Sequence, residues 1–358
     1  MANTRFAWED NIRKVVPYTP GEQPKKNNII KLNTNENPYP PAPGVVDVIK
    51  NFDCDSLRKY PDPTVGNLVH AIAEVYDVKD EEVFVGVGSD DVLAMAFMTC
   101  FNSDKPILFP DITYSFYDVW AELLRIPYET QALDENFHII PEDYMKENGG
   151  VIFPNPNAPT GVLMSLENIE KIIAANRDVV VIVDEAYIDF GGESARGLIN
   201  KYDNLLVVQT FSKSRSMAGM RIGFILGNEK IIKYINDVKY SFNSYTMNRV
   251  AIESGVASVT DTGYFNECVN KVIKTREWTK ERLKERGFIF EDSKSNFIFA
   301  KSDKISGEKL FEELKKRDIY VRHFSKPERI NDYLRISIGT DAEMKKFVET
   351  LDCILENN

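Results

Sequence analysis

Apolar residues fall in short unbroken runs at Val83–Val87, Ile107–Phe109, Val151–Phe153, Val179–Val183, Leu205–Val208 and Ile222–Leu226. Runs without polar alternation suit strands covered on both faces. Stretches with helix-period apolar spacing lie between them, so from about residue 64 the chain alternates strand with helix. That alternation predicts an α/β layer with a mostly parallel sheet. Past about residue 228 helical patterns dominate, notably Asn266–Arg286. Short strands follow at Phe297–Ala300, Ile319–Val321 and Tyr333–Ile338, with a last helix near Ala342–Leu355. This predicts a smaller α+β domain. The stretch up to about Pro63 is rich in Asn, Pro and Tyr and reads as an arm with short turns, Asn35–Pro40 among them. The expected division is an N-terminal arm at 1–40, a large α/β domain at 41–230, and a helical connection with a small C-terminal domain at 231–358.

Composition narrows the function classes. The 358 residues suffice for a large core, and 43% hydrophobic with 28% charged residues is ordinary for a globular chain. A net charge of −11 argues against a nucleic-acid partner, so an anionic substrate would need a local basic pocket. No apolar run approaches membrane-spanning length, and Met1–Asp10 lacks the basic-then-apolar pattern of a signal segment. Cys54, Cys100, Cys268 and Cys353 are scattered without a CxxC, which suits reduced thiols in the cytoplasm. His70, His138 and His323 are far apart, without a metal-ligand motif, so no metal site is expected.

Chemistry-bearing residues cluster where the predicted strands end. Asn157 follows Val151–Phe153, Asp184 and Tyr187 follow Val179–Val183, and Lys213 follows Leu205–Val208. Ligands of open α/β sheets sit beyond the carboxyl ends of strands. Lys213 lies 29 residues after Asp184, in the segment Thr210-Phe-Ser-Lys213-Ser-Arg-Ser-Met-Ala-Gly-Met-Arg221-Ile-Gly-Phe224. A lysine amine can form a Schiff base with an aldehyde cofactor, a carboxylate can pair with its ring nitrogen, and a guanidinium with its phosphate. Pyridoxal 5′-phosphate has all three. The glycine turn Gly86-Val-Gly88-Ser89-Asp90-Asp91 opens a helix and offers backbone N–H groups to a phosphate. Each residue alone has a plainer reading. Ser89 or Asp90 can cap a helix, Asp184 can cap the next segment, Arg221 can form a salt bridge, and Lys213 can be a solvated charge. The ordered combination carries the weight.

In that combination the chain resembles the fold-type I, aspartate-aminotransferase-like family of pyridoxal-phosphate enzymes over essentially its whole length. The motifs are Pro154-Asn-Pro-Asn157-Ala-Pro-Thr-Gly161, Asp184-Glu-Ala-Tyr187 and Ser212-Lys213 with Arg221-Ile-Gly-Phe. Within the family it is similar to the histidinol-phosphate aminotransferases in Pro17-Tyr18-x-Pro-Gly21, Leu32-Asn-Thr-Asn-Glu36-Asn37-Pro38, Tyr60-Pro-Asp, Val321-Arg322 and Leu334-Arg335-Ile-Ser-Ile-Gly339.

The resemblance implies a large domain with a mostly parallel seven-stranded sheet and a smaller α+β domain. It implies that Lys213 carries the cofactor and shuttles the proton, and that Asp184 pairs with the ring nitrogen. Tyr187 and Asn157 would contact the ring oxygen. Ser212, Arg221, the backbone at Ser89 and Asp90, and Thr210 would hold the phosphate, with Tyr114 stacked on the ring. Tyr60 would reach the phosphate of a neighbouring subunit, which makes a homodimer part of the site. Arg322 and Arg335 would read the substrate's anion, with Tyr18 and Asn37 beside them. The implied reaction is transamination between L-histidinol phosphate and 2-oxoglutarate, giving imidazole-acetol phosphate and glutamate, in histidine biosynthesis. Two rivals share these motifs: an aromatic amino-acid aminotransferase, and a threonine-phosphate decarboxylase that breaks the Cα–carboxylate bond.

Overall fold

The computed structural model describes residues 6–356, so the first five residues of the expected arm and the last two of the C-terminal domain lie outside it. Thirteen strands among the described residues are numbered in chain order. They are β1 (Ile30–Lys31), β2 (Val83–Gly86), β3 (Ile107–Pro110), β4 (Tyr128–Gln131), β5 (Gly150–Pro154), β6 (Val181–Asp184), β7 (Leu205–Thr210), β8 (Gly223–Gly227), β9 (Phe288–Phe290), β10 (Phe297–Ser302), β11 (Ile319–Tyr320), β12 (Arg322–His323) and β13 (Leu334–Ser337). A seven-stranded sheet runs β2-β8-β7-β6-β5-β3-β4. Only β8 runs against its neighbours.

The central strands were legible as apolar runs because both faces are covered. Val151, Phe153, Val181, Val183, Leu205 and Val207 enter one core with helices Gly66–Tyr76, Leu166–Ala175 and Arg249–Thr260. Their neighbours Ile152, Ile182, Leu206 and Val208 enter the opposite core with helices Ser89–Cys100, Tyr117–Leu124 and Glu229–Phe242. Each such side chain contributes roughly 1.5–3 kcal/mol by burial. The seventh strand, β4, carries no apolar run. It lies at the edge and three of its four residues are exposed. Helix Pro43–Lys50 also lies in the stretch read as turns, its Val45 buried in the first core.

A second layer is the antiparallel sheet β12-β13-β10-β9, packed against helices Thr262–Lys284, Gly307–Lys316 and Asp341–Glu356. The expected strand Ile319–Val321 shortens to Ile319–Tyr320, and a separate strand follows at Arg322–His323. Residues 319–320 pair in parallel with Ile30–Lys31, and Arg322–His323 joins the antiparallel sheet instead. The N-terminal segment is thus stitched to the small sheet before it crosses to the large one. Arg276 ties the two layers together elsewhere: its buried guanidinium donates to the carbonyls of Phe190 (2.7 Å), after β6, and Ser295 (2.9 Å), before β10.

Candidate active site

The loops after β5, β6 and β7 bring Asn157, Asp184, Tyr187 and Lys213 to one end of the large sheet. Asp184 ends β6 and is buried. Its Oδ2 accepts from the Tyr117 hydroxyl at 2.9 Å and its Oδ1 from the Ala186 N–H at 3.2 Å. Burial still outweighs these two donors and pushes the carboxyl up to about 6. Burial likewise pushes the Tyr117 hydroxyl well above its ordinary value, with Asp184's charge adding to the effect. Both of these donors are neutral and the nearby charge of Lys213 only partly offsets burial, so a protonated ring nitrogen would suit this carboxylate.

Lys213 Nζ donates to the Thr34 carbonyl at 3.3 Å and lies 5.8 Å from the centre of the Tyr187 ring. The Tyr187 hydroxyl accepts from Asn35 Nδ2 at 2.9 Å. Asn157 is buried, its Nδ2 given to the Ile112 carbonyl and Thr160 Oγ1, each at 3.0 Å. Its Oδ1 accepts from Thr113 Oγ1 at 3.3 Å.

The glycine turn and Arg221 form a cup. Helix Ser89–Cys100 begins there with first-turn N–H groups that have no intrahelical partner. Arg221 sits in the left-handed region at φ +56. A Cβ on Gly88 would lie 2.5 Å from Arg221 Nη2, and one on Gly223 would lie 2.5 Å from Ser89 N. Both positions therefore need glycine for the guanidinium and the helix start to approach. Thr210 and Ser212 hydroxyls bond each other at 3.0 Å nearby in the chain, and Thr210 also reaches the Ile222 carbonyl at 3.2 Å. The side chain of Asp90, expected to contribute only its backbone, accepts from Arg221 Nη2 at 3.1 Å and from the Tyr114 hydroxyl at 2.7 Å. N–H donors, hydroxyls and a guanidinium around a Cβ-free turn fit a phosphate monoester. The amine of Lys213 and the carboxylate of Asp184 fit the rest of pyridoxal 5′-phosphate.

Arg322 and Arg335 are direct cross-strand partners, β12 against β13. Arg335 Nη2 donates to the Asn33 carbonyl at 3.2 Å, while its Nε is enclosed without any acceptor. Burial lowers the pKa of Arg335, and the neighbouring Arg322 charge lowers it further. Two guanidiniums on paired strands, one with an unmet donor, are chemically suited to an anion. A cleft of about 880 Å³ opens beside Arg322, lined in part by Tyr18, Tyr114 and Arg322 itself. Tyr18 stacks on Phe116, ring centres 4.2 Å apart.

Two expected residues face elsewhere within the single chain. Tyr60 is 79% exposed and packs on Tyr245. Asn37 gives its amide to the carbonyls of Lys213 (3.0 Å) and Ser214 (3.2 Å), fastening the lysine loop from behind. Three contacts escaped the sequence: Tyr117 on Asp184, Asn35 on Tyr187 and the Thr34 carbonyl on Lys213. Tyr117 begins a helix face shared with Trp120, which gave no sign of the carboxylate; Asn35 and Thr34 lay inside a motif that marked the resemblance, without a partner assigned to either.

Comparison with known proteins identifies the family and the fold. Residues 27–351 match the family model described as aminotransferase class I and II. The chain is 50% identical to a histidinol-phosphate aminotransferase from Clostridium beijerinckii, over 98% of both chains. It is 51% identical to one from Brachyspira hyodysenteriae, over 97% of this chain and 98% of the other. Among solved structures it resembles the histidinol-phosphate aminotransferase from Clostridium acetobutylicum, with a TM-score of 0.85 and 26% identity over 92% of this chain and 100% of that one. The fold also matches the Sinorhizobium meliloti enzyme in complex with pyridoxal-5′-phosphate, with a TM-score of 0.83 and 21% identity over 92% and 91% of the two chains. With a matching model that runs from the segment before β1 into the last helix, this chain belongs to the class I and II aminotransferase family.

Proposed function

We propose that this protein is a pyridoxal 5′-phosphate-dependent histidinol-phosphate aminotransferase, moving an amino group between L-histidinol phosphate and 2-oxoglutarate. The observation that carries the substrate is the cross-strand pair Arg322–Arg335, with its unmet donor at Arg335 Nε. Half-identical relatives named for that activity support it. The cofactor rests on family membership and on the fit of the cup, Asp184 and Lys213 described above. No described helix is long and apolar enough to cross a membrane. Cys54, Cys100 and Cys268 are free thiols, in keeping with the cytoplasmic location proposed for the enzyme.

When bound, pyridoxal 5′-phosphate supplies an aldehyde for the amino group and a ring that takes up electrons from the substrate's Cα. The rest falls to the chain. The Ser89 and Asp90 N–H groups, Ser212, Thr210 and Arg221 would hold the phosphate. Asp184 keeps a proton on the ring nitrogen, where its own raised pKa gives way to the favourable charge pair. Tyr187 would donate to the ring oxygen with Asn157 also contacting it, and Tyr114 would cover a ring face. Lys213 Nζ offers the attachment point and then the base that moves a proton at Cα. Arg322 and Arg335 orient the substrate phosphate, and in the return half-reaction a carboxylate, with Tyr18 at the cleft wall.

Assembly belongs to the same proposal. Leu57, Tyr60, Phe242 and Tyr245 are large apolar side chains left exposed in the single chain. A second copy covering them would take Tyr60 into its own phosphate cup. The test of function is a half-reaction panel in which holoenzyme meets single amino donors and conversion of the cofactor's absorbance is followed. Histidinol phosphate is expected to react far more efficiently than histidinol, phenylalanine or tyrosine. Equal efficiency with phenylalanine or tyrosine would favour the aromatic rival, and CO2 release from phosphothreonine the decarboxylase.

A further inference from the structure

We propose that Asn35 is a positioning residue that aims the Tyr187 hydroxyl, and that Ser337 locks it in that pose from the strand carrying Arg335. The proposal rests on the cofactor reading above, in which Tyr187 donates to the ring oxygen. Asn35 is buried, and its backbone lies in the left-handed region at φ +55. Gly and Asn tolerate that conformation best.

The donor inventory sets the direction of every bond around it. The Asn35 main-chain N–H can only donate, and it does so to Ser337 Oγ at 2.9 Å. The Ser337 hydroxyl then gives its own hydrogen to Asn35 Oδ1 at 3.0 Å. With Oδ1 taken as acceptor, the amide presents Nδ2 to Tyr187, donating at 2.9 Å. The tyrosine oxygen therefore receives a hydrogen bond and its own hydrogen stays free for the site. A flipped amide would set Oδ1 against Tyr187 and capture that hydrogen. The flip would also take Oδ1 away from the Ser337 hydrogen, so Ser337 favours the unflipped amide. The Asn35 carbonyl is held separately by Asn296 Nδ2 at 3.0 Å.

The same segment touches the other working groups. The Asn33 carbonyl receives Arg335 Nη2, and the Thr34 carbonyl receives Lys213 Nζ. Ser337 lies two residues beyond Arg335 on β13. A displacement of β13 thus moves Ser337 and Asn35 together, and Tyr187 loses its orienting donor. Occupancy of the arginine pair and the pose of the tyrosine are linked through one asparagine.

The test is a pH titration of the visible absorbance of cofactor-loaded, substrate-free protein. Asn35→Gly keeps the left-handed backbone and the main-chain bonds and removes only the amide. Tyr187→Phe is expected to raise the midpoint, because it removes a donor to the ring oxygen. Asn35→Gly is expected to raise it by about half to one pH unit, the scale of one neutral hydrogen bond. Ser337→Ala should shift it the same way and less. The double variant Asn35→Gly/Tyr187→Phe should move no further than Tyr187→Phe alone. A merely structural Asn35 would lower the melting temperature and leave the midpoint in place. That result, or additive shifts in the double variant, overturns the proposal while sparing the reading of Tyr187. An unmoved midpoint in Tyr187→Phe overturns both.

Discussion

Replacing Asp184 by Asn removes a buried ionisable group and nearly keeps its shape. In the cofactor-free protein the carboxyl is pushed from 3.8 up to about 6, chiefly by burial. A difference of about two units corresponds to about 3 kcal/mol. The folded chain holds this proton more tightly than the unfolded chain. The stability it contributes is therefore complete below about pH 4 and lost as pH rises through about 6. The side-chain amide of the Asp184→Asn variant cannot ionise and suffers no such loss. Urea denaturation of stripped protein should show the variant gaining on wild type by up to about 3 kcal/mol between about pH 4 and pH 7. Glu185, also buried and pushed up to about 7, is common to both proteins and cancels in the difference. Loading the cofactor should reverse the ranking, since a cationic ring nitrogen favours the carboxylate. Turnover of the loaded variant should fall by well over ~10²-fold, more than the low end for loss of one oxyanion-hole donor. A stability gap that is flat with pH, or near-normal turnover, would refute the assignment of Asp184 as the ring's counter-charge.

Borohydride reduction of holoenzyme followed by peptide mapping should place the cofactor on Lys213, and labelling of another lysine would overturn its role. Mixing Tyr60→Phe with Lys213→Ala subunits should regenerate one unmodified composite site per heterodimer and recover activity; a fully active monomer by light scattering would contradict the shared site. Arg322→Ala should cost histidinol phosphate about 10- to 150-fold in efficiency, one charged hydrogen-bond partner being worth roughly 1.5–3 kcal/mol, and leave unphosphorylated histidinol nearly unchanged. Equal losses on both substrates would mean that Arg322 braces the fold and does not read the phosphate.

The apolar runs of β5, β6 and β7 determined the sheet, because strands buried on both faces have no other way to be written. The same runs placed Asn157, Asp184 and Lys213 at their carboxyl ends, where a ligand belongs. Edge strand β4 could not be read, since exposed residues carry no apolar signature. Nor could the split of residues 319–323 between two sheets, because a run of apolar residues records burial and not the identity of the neighbour. Tertiary structure alone set Arg322 opposite Arg335, Tyr117 on Asp184, and Asn35 between Tyr187 and Ser337. Those last partners lie 152 and 302 residues away in the chain, and a hydrogen bond of 2.9 Å between them exists only once the two sheets are docked. Local sequence specifies which side chains turn inward; the packing of one sheet against the other specifies whom they meet.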